Sequence, residues 1–297
     1  MRLTRFLAGL CAAALTLPAL AEPATKRWVS AGGGLSEWVV ALGGESALVG
    51  VDSTSQHPSS LKALPSIGYQ RQLSAEGILA LHPDLLLGSE EMGPPPVLEQ
   101  LRGAGVRIET LSARADLATL ASNLQRLGDL LGAPQRASQA RTEFQRRLQA
   151  QAAWVDAARA KQATPGVLML LGHAGASPMA AGRDTAATWL IGRAGGRNLT
   201  VHLGYKALSS EALLALDPDV VIFADRSLQG AAAREALLKH NPALAATRAA
   251  RDGRLLSLDP TLLVGGLGPR VPAALAELAN AFYPAGHALS ATATSQP

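Results

Sequence analysis

At 297 residues, with 48% of them hydrophobic, the chain has the material for two domains, each with a core of its own, and its composition excludes a disordered or fibrous protein. The 27 lysines and arginines are scattered among 23 acidic residues, which excludes a basic face set apart for nucleic acid. The single cysteine, Cys11, falls in an N-terminal leader, so the rest of the chain has no thiol or disulfide chemistry.

That leader has Arg2 and Arg5, an apolar run from Phe6 to Leu17, and then Pro18-Ala19-Leu20-Ala21, whose two alanines form a small-x-small cleavage pattern. Residues 1–21 therefore read as a secretory signal peptide cut near Ala21. The run is too short to span a bilayer, and Leu10 ahead of Cys11 does not suit a lipid anchor. Without the leader, 25 basic residues face 23 acidic ones, a near-neutral balance.

Lys26 to Ala31 is a predicted strand, and Gly32-Gly33-Gly34 turns it into a short helix from Leu35 to Leu42. The glycines leave two readings open: backbone N–H groups facing a ligand at a helix N-terminus, or simply a tight strand-to-helix turn. Ala47 to Val51 is a second strand, and a polar loop with Pro58 and Pro65 delivers the chain to Tyr69. Ser74 then caps a helix with Glu76 in its first turn, and Pro83-Asp84 breaks it into the strand Leu85 to Gly88. A helix from Val97 to Gly103 and a strand from Val106 to Thr110 follow.

Between Leu117 and Ala163 apolar residues recur at helical spacing, interrupted only by Gly132-Ala133-Pro134, and Pro134 to Ala163 reads as one long helix. Beyond it come the strand Val167 to Leu171, a turn at Gly172-His173-Ala174-Gly175, and a helix from Thr185 to Ala194. The loop, capped helix and strand around Tyr69 then recur. Gly204-Tyr205, Ser209, Glu211 and the strand beginning at Val220 repeat Gly68-Tyr69, Ser74, Glu76 and Leu85, with one residue fewer between tyrosine and leucine. A helix near Ala231 to His240, a strand from Arg254 to Leu258 and a helix from Val271 to Phe282 complete the pattern. Alternating strands and helices in each half predict an α/β protein with mainly parallel sheets, and the repeated unit predicts two lobes facing across a cleft.

The leader, the two α/β halves, the long midpoint helix and the paired Ser-x-Glu units resemble the helical-backbone class of periplasmic substrate-binding proteins that serve ABC importers of siderophores, cobalamin and haem. Gly68-Tyr69-Gln70-Arg71-Gln72-Leu73-Ser74-Ala75-Glu76-Gly77, Met179-Ala180-Ala181-Gly182-Arg183 and Gly266-Leu267-Gly268-Pro269-Arg270 are similar to the haem-binding branch of that class. The resemblance implies a periplasmic protein with an N-terminal lobe at 22–133, a connecting helix at 134–163, a C-terminal lobe at 164–284 and a disordered tail at 285–297. It further implies haem as the transported ligand, held in the interlobe cleft with Tyr69 on the iron.

Phenolate is a hard anionic donor suited to ferric iron. Its free pKa near 10 calls for a nearby cation, for which Arg71, Arg226 and Arg270 are candidates, and arginines of this set also suit the haem propionates. Arg183 lies in the second similar motif. Tyr205 is the internal counterpart of Tyr69 and is expected to line the cleft. His173 is a candidate second ligand, either opposite the tyrosine or on a stacked second haem. Glu76 and Glu211 resemble the acids that dock such proteins onto the permease, although a first-turn acid also stabilises its own helix. The implied partners are an inner-membrane permease with its ATPase, and an outer-membrane haem receptor upstream, with the protein itself a monomer. A ferric siderophore or cobalamin is the competing cargo within the class. The chain lacks G-x-S-x-G and H-E-x-x-H, and an enzyme is not expected.

Overall fold

The computed structural model describes residues 26–172, 178–225 and 230–285. The leader, His173, Arg226 and the tail from residue 286 lie outside these described residues. The first half runs β1 (Trp28–Ser30), α1 (Gly33–Ala41), β2 (Leu48–Val51), α2 (Ala75–Leu79), β3 (Leu85–Ser89), α3 (Pro95–Gly103) and β4 (Arg107–Leu111). Helices α4 (Leu117–Leu131) and α5 (Pro134–Arg159) lead into the second half. That half runs β5 (Gly166–Leu171), β6 (Met179–Ala181), α6 (Ala186–Arg193), β7 (Arg197–Asn198), β8 (Tyr205–Ala207), α7 (Ser210–Leu216), β9 (Val220–Ala224), α8 (Gly230–His240), α9 (Arg248–Arg251), β10 (Leu255–Leu258) and α10 (Val271–Phe282). No helix among the described residues is long and apolar enough to cross a membrane.

The first sheet has the order β2-β1-β3-β4 and is parallel throughout. Its leucine-rich strand β3 is buried from end to end, as a parallel strand covered on both faces should be. The second sheet has the order β10-β9-β5-β6-β8 with β7 beside β5, and it is mixed: β5, β7, β9 and β10 are parallel, while β6 pairs antiparallel with both β5 and β8. Tyr205 therefore begins an edge strand rather than lying in a loop. Three residues, Tyr205-Lys206-Ala207, are too few for alternation to mark a strand in sequence.

Helix α5 joins the two sheets. Gly132 ends α4 in the left-handed region at φ 71°, and Pro134 opens α5 at a position where its missing N–H costs nothing. The helix spans 26 residues, roughly 39 Å. It stops at Arg159, short of Ala163, and residues 160–162 turn out of the helix ahead of Pro165. Its buried stripe of Ala137, Phe144, Leu148, Gln151, Val155 and Ala158 packs on both lobes. Phe144 meets Trp38 of α1 with ring centroids 6.0 Å apart, and Trp154 meets Tyr283, just past α10, at 6.2 Å. One apolar cluster accordingly runs from Trp28 through α5 to Tyr283.

A second joint lies at the far end of the chain. The loop 264–268 sits on α1: Gly34 N–H donates to the Val264 carbonyl (3.1 Å), and Trp38 Nε1 donates to the Leu267 carbonyl (2.7 Å). The glycine turn before α1 is consumed by the protein itself, since Gly32 N–H donates to Asp52 Oδ1 (3.0 Å) and Gly33 N–H to Thr54 Oγ1 (2.9 Å). Of the two readings of Gly32-Gly33-Gly34, the structure takes the tight turn.

At the start of α10, Arg270 reaches across to α1. Its Nη2 donates to Glu37 Oε1 (2.7 Å) and Thr261 Oγ1 (2.7 Å), and its Nη1 donates to Asp259 Oδ2 (2.8 Å). Burial pushes the Glu37 carboxyl up, and Arg270 pulls it back toward ionisation. Burial acts on Asp259 in the same sense, but the hydroxyl and N–H of Thr261, together with Arg270, hold it below the usual carboxylate range. His57 lies 2.9 Å from Asp259, and its own burial, then Arg270, push the imidazole toward the neutral form.

Arg270→Ala would leave Glu37, only 5% exposed, ionised without a partner, and the expected loss is about 3 kcal/mol of unfolding free energy at neutral pH. Without Arg270 the folded-state pKa of Glu37 rises further, so the deficit relative to wild type should be full at neutral pH. It should shrink as pH falls toward about 4, below the raised folded-state pKa of Glu37 in both proteins, where the carboxyl is protonated with or without Arg270. Urea unfolding at the two pH values measures both effects.

Candidate functional site

Ligands of α/β sheets bind beyond the carboxyl ends of the strands, and the cleft lies there. It is a cavity of about 840 Å³, within the roughly 300–1,000 Å³ of small-molecule sites. Its first wall comes from Arg71, from Glu90 and Glu91 just after β3, and from Ala113 to Asp116 just after β4. Its second wall comes from Asp184 and Thr185 ahead of α6, from Ala186, Thr188 and Trp189 on α6, and from Gly204 and Tyr205 at β8. Leu263 and Gly265 of the C-terminal joint close the floor.

Most charges in these walls already have partners. Arg71 Nη2 donates to Glu91 Oε1 (2.7 Å), and Arg114 lies 3.4 Å from Asp116. Glu90 accepts from Ala113 N–H (2.8 Å) and from the Ser112 hydroxyl (3.3 Å). Burial, and after it the negative charge of Glu91, push the Tyr205 phenol above its ordinary range, while Thr185 and Arg71 act in the opposite sense. The two walls are thus in electrostatic contact. Asp184 holds φ at 59°, a left-handed conformation uncommon for a non-glycine residue, just where the chain turns into α6. Thr185 caps that helix by accepting from Thr188 N–H (3.1 Å).

The predicted residues divide by position. Arg71 and Tyr205 line the cavity on opposite walls. Tyr69 is half-buried two residues before Arg71, with its carbonyl accepting from Gln72 N–H (2.7 Å), and it is outside the set that bounds the cavity. Arg183 also stands outside that set, its Nε donating to the Val201 carbonyl (2.8 Å). Arg270 belongs to the interlobe joint, with Glu37, Asp259 and Thr261 as partners. His173 and Arg226 lie outside the described residues.

Glu76 and Glu211 occupy matching exposed positions in the first turns of α2 and α7, which Ser74 and Ser209 cap. The Glu211 carboxyl is held below its usual range by its own N–H and by the Ser209 hydroxyl, so it stabilises the helix it starts. Glu91, Arg114 and Trp189 were not singled out as cargo-site residues by the sequence. Glu91 and Arg114 could have been found by their place two or three residues beyond the ends of β3 and β4. Trp189 gave only a helical periodicity signal.

Residues 29–262 match the family model described as periplasmic binding protein, and the chain belongs to this family. A crystal structure of a periplasmic heme-binding protein from Pseudomonas aeruginosa is 66% identical, with a TM-score of 0.88 over 89% of this chain and 95% of that one. The periplasmic heme-binding protein BhuT, solved in complex with two hemes, is 39% identical, with a TM-score of 0.77 over 88% of this chain and 98% of that one. A vitamin B12-binding protein from Pectobacterium carotovorum is 32% identical over 139 residues, 47% of this chain. The chain spans about half the length of that curated relative, 48% of it.

If Glu91 and Arg71 both act on Tyr205, then Glu91→Gln lowers the pH at which the Tyr205 phenol ionises and Arg71→Ala raises it. Ultraviolet difference titration measures this, with Tyr205→Phe identifying the step.

Proposed function

We propose that the protein binds haem as cargo in the interlobe cleft and delivers it to an ABC importer. The reading rests on one observation above others, the 66% identity to a periplasmic heme-binding protein across 95% of that protein's solved chain. The cleft chemistry supports it. Trp189, Leu263 and Ala113 offer apolar surface to a flat macrocycle, and Arg71 and Arg114 stand where propionates could be met. In this reading the Tyr69 phenolate ligates ferric iron, turning toward the cavity that Arg71 lines. Arg71 steadies that phenolate or a propionate, and Tyr205 packs against the macrocycle from the second lobe. His173 and Arg226 are assigned to the same cargo as candidate second ligand and candidate anion partner. Glu76 and Glu211 dock the two lobes on a permease with its ATPase, and the protein acts as a periplasmic carrier without turnover.

Cobalamin is the second reading. The vitamin B12-binding relatives favour it, but they match at 32% identity over only about half of either chain.

Titration of the protein from Glu22 onward with ferric haem tests the assignment by visible absorption and EPR. We expect a stoichiometric high-spin ferric species with a phenolate charge-transfer band, lost in Tyr69→Ala and kept in Tyr205→Ala. Dependence on His173, or two equivalents bound, would bring in the second ligand or a stacked pair. Weak binding that Tyr69→Ala leaves unchanged would overturn the haem reading in favour of cobalamin or a ferric siderophore.

A further inference from the structure

Gln70 lies between Tyr69 and Arg71 and points away from the solvent, with no exposed surface. Its Nε2 donates to Glu91 Oε2 (3.2 Å), and its carbonyl accepts from Gly93 N–H (2.9 Å). Leu73 N–H in turn donates to the Gly93 carbonyl (2.8 Å), so the Tyr69 loop is stitched to the turn after β3 on both sides of Arg71. Gln70 Oε1 is buried without a hydrogen-bond partner, a cost that a residue present only for packing would not need. The fixed element in this arrangement is the Glu91 carboxylate. One oxygen is tied to Gln70 and the other accepts from Arg71 at 2.7 Å.

We propose that Glu91 is a built-in competitor for Arg71, setting how tightly the cleft holds an anionic cargo and how fast it lets go. This inference rests on the haem reading. Arg71 is a carboxylate-binding fork, and Glu91 takes one of its terminal nitrogens. A porphyrin carboxylate, or a phenolate bound to iron, has to draw that guanidinium from Glu91 and accept a fixed negative charge beside it. The field of Glu91 reaches the opposite wall, where it acts on Tyr205. Gln70 keeps the carboxylate from swinging out of the way. The side chains of Arg71 and Glu91 are 54% and 32% exposed, so water screens the pair. The effect should therefore be modest, about two- to fivefold in affinity.

The test compares wild type, Glu91→Gln, Arg71→Ala and the double variant, binding either ferric haem or metal-free protoporphyrin, which keeps the carboxylates but forms no axial bond. Dissociation is followed into an excess of a haem scavenger, and thermal melts check that each variant folds. Glu91→Gln should bind about two- to fivefold tighter and release more slowly, and most of that gain should vanish in the Arg71→Ala background. A gain with both porphyrins supports competition with a cargo carboxylate, and a gain with haem alone supports competition with the phenolate. Unchanged or weaker binding by Glu91→Gln, or an equal gain with and without Arg71, would overturn the proposal while leaving the haem reading intact. Failure of the wild type to bind either porphyrin would overturn both.

Discussion

The charged joint between α1 and α10 governs how the two lobes meet. Arg270 is one cation facing two carboxylates, Glu37 from the first lobe and Asp259 from the second, in a site dry enough to raise the Glu37 carboxyl. Such a cluster is satisfied only when all members are in place, because a buried charge without its partner is far more costly than the pair is favourable. It fixes the C-terminal loop against α1, and that loop supplies the floor of the cleft through Leu263 and Gly265. With α5 packed on both lobes at Phe144 and Trp154, the walls are held by two separate braces.

The cleft offers few charges that are not already answered within their own wall. Arg71 has Glu91, Arg114 has Asp116, and Glu90 accepts from the loop after β4. An incoming anion therefore exchanges partners instead of simply adding one. Affinity under these conditions depends on the difference between two pairings, which is smaller than either alone.

Much of the architecture was legible in the sequence. Residues Leu85 to Leu87 form an unbroken apolar run ahead of a glycine, and Val271 to Phe282 shows a clear helical period; both elements are where they were expected. Serine caps at Ser74 and Ser209 marked the starts of α2 and α7 because their chemistry is local. The antiparallel strands β6 and β8 were not legible, since pairing between segments of three residues is decided by neighbours far along the chain. The same limit applies to the site. Arg71 and Tyr205 could be placed at the cleft from their motifs, but the partner of Arg71 is 20 residues away. Arg270, read as a cargo contact, is bound to a residue 233 positions earlier. Spacing along the chain carries no sign of either pair.

At the floor of the cleft the backbones of the two lobes approach through glycine. A Cβ at Gly34 would lie 3.2 Å from the carbonyl oxygens of both Val264 and Gly265, and Gly265 holds φ at 80°, where side chains are rarely tolerated. This contact works as a fulcrum near the base of two long arms. A single methyl group inserted there would act as a shim, tilting the arms apart by a fraction of an ångström at the pivot and by more at the rim. The spacing of the lobes at this contact depends on the absence of side chains at Gly34 and Gly265.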